Sequence, residues 1–290
     1  MTCFRTSMFH CCTILTVRSI VEQNITSALV LEDDIDWDIR IKSQMKDFAK
    51  ASRLLVQPLP HTTDQYLDLT HPQPTKDQQH TDFNINEHTT SDPVDSPYGD
   101  IGRWDLLWLG HCGCRFPRAS DVNVPLGRAV LADDQTVPEH QHLDMEYGND
   151  ELLRQYPAHT RVVSRARVNT CSLAYGISQP GARRFLYELG IHKMSDTNDM
   201  MFRYVCDGVD DRQLATCLTV QPQLFQHHRP VGLKSGFSDI SDHGDGFNDQ
   251  AFTRNVRWSV RLNFPKLISG ATDYIDLFRD GAEKLHLTAG

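Results

Sequence analysis

The sequence predicts an α/β protein whose mainly parallel sheet is flanked by helices. Short apolar runs typical of buried strands alternate with segments of helical periodicity, and this alternation is typical of a parallel sheet. The clearest run, residues 27–31 (SALVL), ends directly in carboxylates, as strands do when their carboxyl ends open onto a site. A chain of 290 residues is also long enough to bury a full core without crosslinks.

The composition excludes several classes of protein. Apolar residues make up 39% of the chain and charged residues 23%, which excludes a collagen-like, coiled-coil or wholly disordered chain. The formal net charge of −9 argues against a nucleic-acid-binding protein and suits a protein that holds cations. No apolar stretch reaches the ~18 residues of a membrane span. Residues 8–17 are largely apolar, but the cleavage site of a signal peptide does not follow them. We therefore predict that they form an ordinary buried helix.

Individual elements follow from apolar periodicity and from capping residues. Ser178 and Pro180 form a typical helix start, with serine as the cap and proline in the first turn. The predicted helices cover residues 8–23, 38–55, 181–189 and 196–206. The predicted strands cover residues 27–31, 105–109, 160–163, 174–177 and 214–220.

Two segments depart from this alternation. Residues 57–100 are rich in Pro, Asp, Thr, Gln and His and poor in aliphatic side chains, which predicts a loop or a disordered insertion. Residues 241–290 mix small polar residues with modest apolar runs. We therefore expect one domain over residues 1–240 that carries the insertion, followed by a peripheral tail.

The eight cysteines leave the redox state open. No CxxC pair is present, so the sequence does not predict a structural zinc site. The even number is compatible with a few disulfides in a secretory lumen and equally with buried thiols in a reducing compartment.

The strongest chemical signal is an acidic cluster directly after the first predicted strand. It places five carboxylates in seven positions: Glu32, Asp33, Asp34, Asp36 and Asp38. Their mutual repulsion would be relieved by a divalent cation. Side chains two residues apart on an extended chain point the same way, so Glu32 and Asp34 are expected to share a site. The alternative is an acidic turn that stabilises the start of the following helix.

Two other interpretations of the acidic cluster can be compared with the sequence. An EF-hand loop that began at Asp34 would need glycine at its sixth position and glutamate at its twelfth, where Ile39 and Met45 stand. That interpretation fails. A haloacid-dehalogenase-like phosphotransferase also places DxD after a strand, and Asp34 and Asp36 could serve. However, Asp38 stands where that family usually has Thr or Val.

Two later segments carry candidate functional side chains. His227 and His228 follow a predicted strand, and imidazole is a good ligand for manganese or zinc, although such a pair is more often an ordinary surface pair. Asp199 lies near the start of a predicted helix for which Asp196 is the expected cap. Asp199 is therefore a candidate general base.

Taken in order, these segments resemble glycosyltransferase family 25, which includes lipooligosaccharide and procollagen galactosyltransferases, and most of all its fungal branch. The matching stretches cover most of residues 20–240 apart from the insertion. They are SALVLEDDIDWD (27–38), WDLLWLGHCG (104–113), CSLAYGISQPGARRFLYELG (171–190), NDMM (198–201) and CLTVQPQLFQHHRPVGLKSGFSDI (217–240).

The resemblance implies a GT-A-like, Rossmann-like fold and the inverting transfer of a hexose, typically galactose, from a UDP-sugar to a glycan or protein hydroxyl. It implies that Glu32, Asp33 and Asp34 play the DxD part and bind the nucleotide sugar through Mn²⁺. His227 or His228 would complete the metal shell, and Asp199 would be the base or contact the acceptor. Residues 238–240 (SDI) resemble a closing motif of the family.

The resemblance also has implications for the N-terminal strands and for the cellular compartment. A GT-A domain places one or two nucleotide-binding strands before the acidic strand. Here 26 residues precede Ser27 and predict a helix, so we expect the N-terminal nucleotide-binding strands to be incomplete. Family membership implies the lumen of the endoplasmic reticulum or Golgi, but no signal or anchor segment is recognised in this chain.

Three functions therefore stay open. The first is a metal-dependent UDP-hexose transferase, and the second is an inactive transferase-like protein that binds a partner or glycan. The third is a phosphotransferase of the DxD type.

Overall fold

The structure is a computed structural model that describes residues 2–75, 77–145, 150–237 and 243–285. These residues form a large mixed sheet flanked by helices, so the α/β prediction is confirmed. The family-like motif at residues 238–240 lies outside the described residues. The described α-helices are α1 (Thr2–Glu22), α2 (Ile41–Val56), α3 (Glu151–Gln155), α4 (Gln179–Tyr187), α5 (Asn198–Asp207) and α6 (Val260–Ser269).

Short strands make up the sheet. They are β1 (Ser27–Leu31), β2 (Ile35–Trp37), β3 (Asp82–Asn84), β4 (Leu106–Gly110), β5 (Arg128–Leu131), β6 (Arg161–Arg165), β7 (Ala174–Ser178), β8 (Cys217–Gln221), β9 (Phe225–Arg229), β10 (Gly232–Leu233), β11 (Phe247–Asn248) and β12 (Phe252–Thr253). The main path runs β1-β7-β4-β8-β6-β5-β3. Strand β9 joins this sheet through β4 and pairs with β2 and β12, whereas β10 and β11 form a separate two-stranded sheet.

The prediction of a mainly parallel sheet is wrong. Within the main path only β4 with β8 and β3 with β5 run parallel, and the other neighbouring strands are antiparallel. Alternation of strands and helices indicates a parallel sheet only when consecutive strands are neighbours. Here β7, which comes much later in the chain, lies between β1 and β4 and runs opposite to both.

Two apolar layers cover the two faces of the sheet. The alternation of side chains along β4 shows this division, because Leu107 belongs to one cluster and Trp108 to the other. Phe48 of α2 packs in the first cluster. Val17 of α1 and Phe202 of α5 pack in the second, where the Trp108 and Phe202 rings meet edge to face.

Strand β1 has the predicted bounds but not the predicted burial. It is the edge strand of the main path, so only one of its faces is fully covered. Ala28 and Val30 pack against the second apolar cluster, whereas Leu29 is 51% exposed and Leu31 is 44% exposed. An apolar run therefore identified the strand correctly, but it could not distinguish a central strand from an edge strand.

Two of the predicted helix starts can be compared with the structure. Ser178 caps α4 as predicted, and its Oγ accepts a hydrogen bond of 3.0 Å from the amide of Gly181. The prediction that Asp196 caps α5 is wrong, because Thr197 occupies the N-cap position, although its side chain makes no capping hydrogen bond. Asp196 lies one residue further out, where its carboxylate accepts hydrogen bonds from the amide of Thr197 and the hydroxyl of Tyr204.

Among the cysteines whose side chains are described, four are paired. Disulfides join Cys112 to Cys171 and Cys206 to Cys217, whereas Cys114 is a buried free thiol. The longer crosslink ties the segment after β4 to the segment before β7. Of the two redox states that the sequence left open, the structure therefore corresponds to the one with disulfides.

The C-terminal segment takes part in the sheet. Strand β12 pairs with β9, and α6 packs on β2. Ser259, Thr253 and Asn263 are fully buried. The division of the chain at residue 240 stays a prediction, but residues 252–263 are packed against the acidic segment. Among the described helices, none is both long and apolar enough to cross a membrane.

Candidate metal centre

Two pairs of elements bring the acidic segment and the histidine segment together. The chain leaves β1 at Leu31, makes a turn at residues 33–34 and enters β2, which pairs with β9. The register places Ile35 opposite His227, and the amide of His228 donates a 2.9 Å hydrogen bond to the carbonyl of Asp34. Residues almost two hundred positions apart therefore meet at one end of the sheet.

Glu32, Asp34 and His227 form the centre of this site. Each offers one ligand atom, and these atoms lie within 4.8 Å of one another. His227 Nε2 lies 3.7 Å from Asp34 Oδ2. The hydroxyl of Ser172 donates a 3.2 Å hydrogen bond to Glu32 Oε1, and the amide of Glu32 is fixed by the carbonyl of Leu173. The acidic side chains share the site, as predicted, but a turn rather than an extended chain brings them together.

The negative charge of the site is only partly compensated. Burial, followed by the repulsion of Asp34, Asp199 and Asp33, raises the pKa of Glu32 to about 7, although the hydrogen bond from Ser172 works in the opposite direction. Burial also raises the pKa of Asp34, and nearby Arg229 offsets part of this effect. A bound cation would lower the pKa values of Glu32 and Asp34 again, because its positive charge favours the ionised carboxylates.

His227 is held in its neutral form. Burial, together with the positive charges of Arg229 and His243, lowers the pKa of His227 to about 3. A metal ligand must offer a lone pair, and a neutral imidazole does so throughout the physiological range.

His228 points away from this centre. Adjacent residues on a strand face opposite sides of the sheet, so only one of the two histidines can reach Glu32 and Asp34. His228 Nδ1 lies 3.0 Å from Thr253 Oγ1 and 3.7 Å from Asp36 Oδ2. Because the Thr253 hydroxyl donates to Asp36, His228 is the donor to Thr253.

Asp36 organises the C-terminal segment. Its buried carboxylate accepts hydrogen bonds from the hydroxyls of Thr253 and Ser259 and from the amide of Arg261. Burial alone would raise the pKa of Asp36, but these hydrogen bonds and that of His228 lower it. Asp38 has a similar role, because it binds the amides of Arg40 and Trp258. These two carboxylates are structural and do not join the proposed metal ligands.

Asp199 lies beside the centre without belonging to the three-residue cluster. It is close enough to raise the pKa of Glu32 by repulsion. Its Oδ2 accepts a 3.0 Å hydrogen bond from the amide of Cys171, and its Oδ1 accepts a 2.7 Å bond from the hydroxyl of Thr197. The Cys112–Cys171 disulfide anchors the segment that supplies the first of these donors. The carboxylate is therefore held in a fixed orientation.

Sequence reasoning missed two arginines beside the acidic turn. Arg229 lies two residues after His227 on β9, and strand alternation could have placed both on the same face. Arg261 could not be found in this way, because α6 brings it from another part of the chain. Its guanidinium donates hydrogen bonds to the carbonyls of Ile35 and Asp33. Both arginines lower the pKa of Asp34. The side chain of Asp33 is exposed.

The donor set fits a divalent cation. Ligands on opposite sides of one ion lie about 4.4 Å apart, twice a typical bond length, and the three ligand atoms lie within 4.8 Å of one another. Two carboxylates and an imidazole suit Mn²⁺ or Zn²⁺ and do not by themselves select one. A second group of such ligands, Glu139, His159 and Asp280, is also described. In that group Arg257 is ion-paired with Asp280.

The chain was compared with protein-family models, curated proteins and solved structures, and none of the three comparisons found a match.

Proposed function

We propose that this protein is a metal-dependent inverting glycosyltransferase that moves a hexose, galactose by resemblance, from a UDP-sugar to a hydroxyl acceptor. One observation carries the proposal. Glu32 and Asp34 meet His227 at the carboxyl end of β1, in a field of negative charge that a cation would relieve. The resemblance to family 25 implies that the acidic motif at residues 32–34 and one of the two histidines 227 and 228 share a metal shell, and this cluster supports that proposal.

Mn²⁺ is the proposed cofactor, held by Glu32, Asp34 and His227. When bound, it would supply positive charge to the diphosphate of the donor and so favour departure of UDP. Arg229 and Arg261, which already influence Asp34, are positioned to add positive charge on the same side. We assign His228 to the hydrogen-bond network of Asp36 rather than to the metal shell.

Asp199 is the proposed general base. In an inverting transfer the acceptor hydroxyl loses its proton to the base while its oxygen forms a bond to the anomeric carbon. The bond from that carbon to the diphosphate oxygen breaks, and the electron pair leaves with UDP. The hydrogen bonds from Cys171 and Thr197 fix the Asp199 carboxylate during this proton transfer.

Calorimetric titration of UDP-galactose tests the proposal. We expect binding to the wild-type protein in the presence of Mn²⁺ and at least ~10-fold weaker binding in EDTA, because a metal-bridged diphosphate loses its main electrostatic contact. Asp34→Asn should abolish the effect of Mn²⁺. Asp64→Asn, which removes the charge of an exposed aspartate in the 57–100 segment, is the matched control and should bind as the wild type does.

The outcomes separate the three functions. Mn²⁺ binding without affinity for UDP-galactose or UDP would overturn the transferase proposal and favour an inactive transferase-like binding protein. Phosphate release from phosphate esters without any dependence on a nucleotide sugar would favour the phosphotransferase.

A further inference from the structure

A cavity lies at the opposite end of the strands from the candidate metal centre. Glu32 follows the carboxyl end of β1, which runs in the same direction as β4 and β8. The cavity lies where β8 begins and where the antiparallel strand β6 ends. It has a volume of about 150 Å³, and its wall includes Arg165, His71, Thr216 and the Cys206–Cys217 disulfide. A space of this size holds a small ion or a compact organic molecule.

Arg165 is the unusual side chain of this wall. It makes no ion pair and donates no side-chain hydrogen bond to any described residue, and its Nε atom is buried without a partner. Burial lowers the pKa of Arg165 to about 10, so the guanidinium stays charged at neutral pH. By relative accessibility the whole residue is partly buried, and a charge withdrawn from water in this way normally has a hydrogen-bonded partner of opposite charge, because desolvation without one is costly.

The two carboxylates whose charge acts on Arg165, Asp68 and Asp105, are hydrogen-bonded to other groups. Asp68 accepts hydrogen bonds from the amide and hydroxyl of Thr70 and from the amide of Gly127. Asp105 accepts a 2.7 Å hydrogen bond from the amide of Thr216 and pairs with Arg184. Both act on Arg165 through space, but neither supplies the forked contact that a guanidinium prefers.

His71 adds a second unsatisfied polar group to the same wall. Its Nδ1 atom is buried without a hydrogen-bond partner in the part of the chain that the structure describes, and its ring stacks on Tyr66 at a centroid distance of 3.7 Å. Burial and the charge of Arg165 lower the pKa of His71 to about 4, so its ring is neutral at pH 7. A neutral imidazole can donate one hydrogen bond to an anion without adding charge.

We propose that this cavity binds a small oxyanion, a phosphate or a carboxylate group, with the guanidinium of Arg165 as its anchor and His71 as a second hydrogen-bond donor. Planar, charge-assisted pairing of arginine with such a group would satisfy the buried Nε atom and the partly buried charge of Arg165. The cavity leaves room for little more than the anionic group itself. The site is distinct from the metal centre, and the proposal does not depend on the proposed transferase activity.

Calorimetric titration of inorganic phosphate and, separately, of acetate tests this site. The full chain is used in EDTA at low ionic strength, so that neither bound metal nor screening affects the result. We expect saturable binding of at least one of the two anions, with one site per chain. Arg165→Gln should weaken this binding by about 10- to 100-fold, which is the loss expected for hydrogen bonds to a charged group. Arg183→Gln, which alters an exposed arginine, should bind as the wild type does.

A second variant keeps the test valid if Arg165→Gln does not fold. Arg165→Lys retains the charge but loses the planar fork, so it should bind the anion at least several-fold more weakly than the wild type. The proposal is overturned if the wild-type protein binds neither anion saturably. It is also overturned if a folded Arg165 variant binds with wild-type affinity. Neither result would bear on the metal centre.

Discussion

The buried charge of Glu32 should destabilise the metal-free protein, and replacement of Glu32 by glutamine should remove this destabilisation. The pKa of this carboxyl is about 7 in the folded chain against 4.5 in its ordinary state. The folded protein therefore binds more protons than the unfolded chain between these values, and the stability of the wild type decreases as pH increases through this window. Below pH 4.5 the group is neutral in both states and imposes no such cost.

The magnitude follows from the same two values. The difference corresponds to about 3 kcal/mol at pH 8, and the partial exposure of Glu32 reduces it to about 1–2 kcal/mol. Glutamine has the same shape, can still accept the hydrogen bond from Ser172 and carries no charge. The Glu32→Gln variant should therefore unfold at a temperature about 2–6 °C higher than the wild type at pH 8 in EDTA.

Thermal unfolding at pH 5 and pH 8, with EDTA or with Mn²⁺, measures both effects. The advantage of Glu32→Gln should be large at pH 8 and small at pH 5. Mn²⁺ should stabilise the wild type, because ligand binding to the folded state alone shifts the equilibrium, and should have little effect on the variant. A variant less stable than the wild type at pH 8 in EDTA would refute the electrostatic argument. Equal stabilisation of both proteins by Mn²⁺ would refute the assignment of Glu32 as a ligand.

Three further predictions concern other side chains. His227→Gln should weaken Mn²⁺ affinity at least ~10-fold in calorimetry, whereas the matched variant His228→Gln should retain it, because His228 faces Asp36. Asp36→Asn should lower the free energy of unfolding in urea by about 2–4 kcal/mol, because an amide group would then face the hydroxyls that now donate hydrogen bonds to the carboxylate. An unchanged urea midpoint would contradict this prediction. His111 directly follows β4 and is buried, with its Nε2 atom 2.9 Å from the carbonyl oxygen of Val220. Burial lowers the pKa of His111 to about 4, so the folded state resists its protonation and stability is lost as pH falls from 6.5 towards 4. The loss between pH 7 and pH 5 should be about 2 kcal/mol smaller in His111→Gln, and equal losses in urea unfolding would argue against this role.

Local pattern was sufficient to predict most of the elements around the site. The apolar run over residues 27–31 matches β1 residue for residue, and Ser178 caps α4 as the serine–proline signal indicated. The acidic cluster and the histidine pair were both recognised as candidates. Period-two alternation on β9 could also have shown that only one of the two histidines would face the acidic turn, but nothing local determined which one.

The remaining features depend on pairings between distant segments. In the sheet β7 lies between β1 and β4, although it follows both of them in the chain. The parallel or antiparallel pairing of the strands therefore could not be inferred from the order of elements in the sequence. The burial of Asp36 depends on Thr253 and Ser259, which a local analysis assigns to a peripheral tail. The four cysteines that form disulfides have no shared spacing signal, since their pairs are 59 and 11 residues apart.

The central claim is that Glu32, Asp34 and His227 together hold one divalent cation. Pulsed electron paramagnetic resonance of the protein with one equivalent of Mn²⁺ tests it most directly, because a coordinated imidazole couples its nitrogen nucleus to the electron spin of the metal. We expect one bound Mn²⁺ with a directly coordinated nitrogen, a coupling that His227→Gln removes and His228→Gln retains. Unbound Mn²⁺ in the wild-type sample, or a nitrogen coupling that persists in His227→Gln, would contradict the claim.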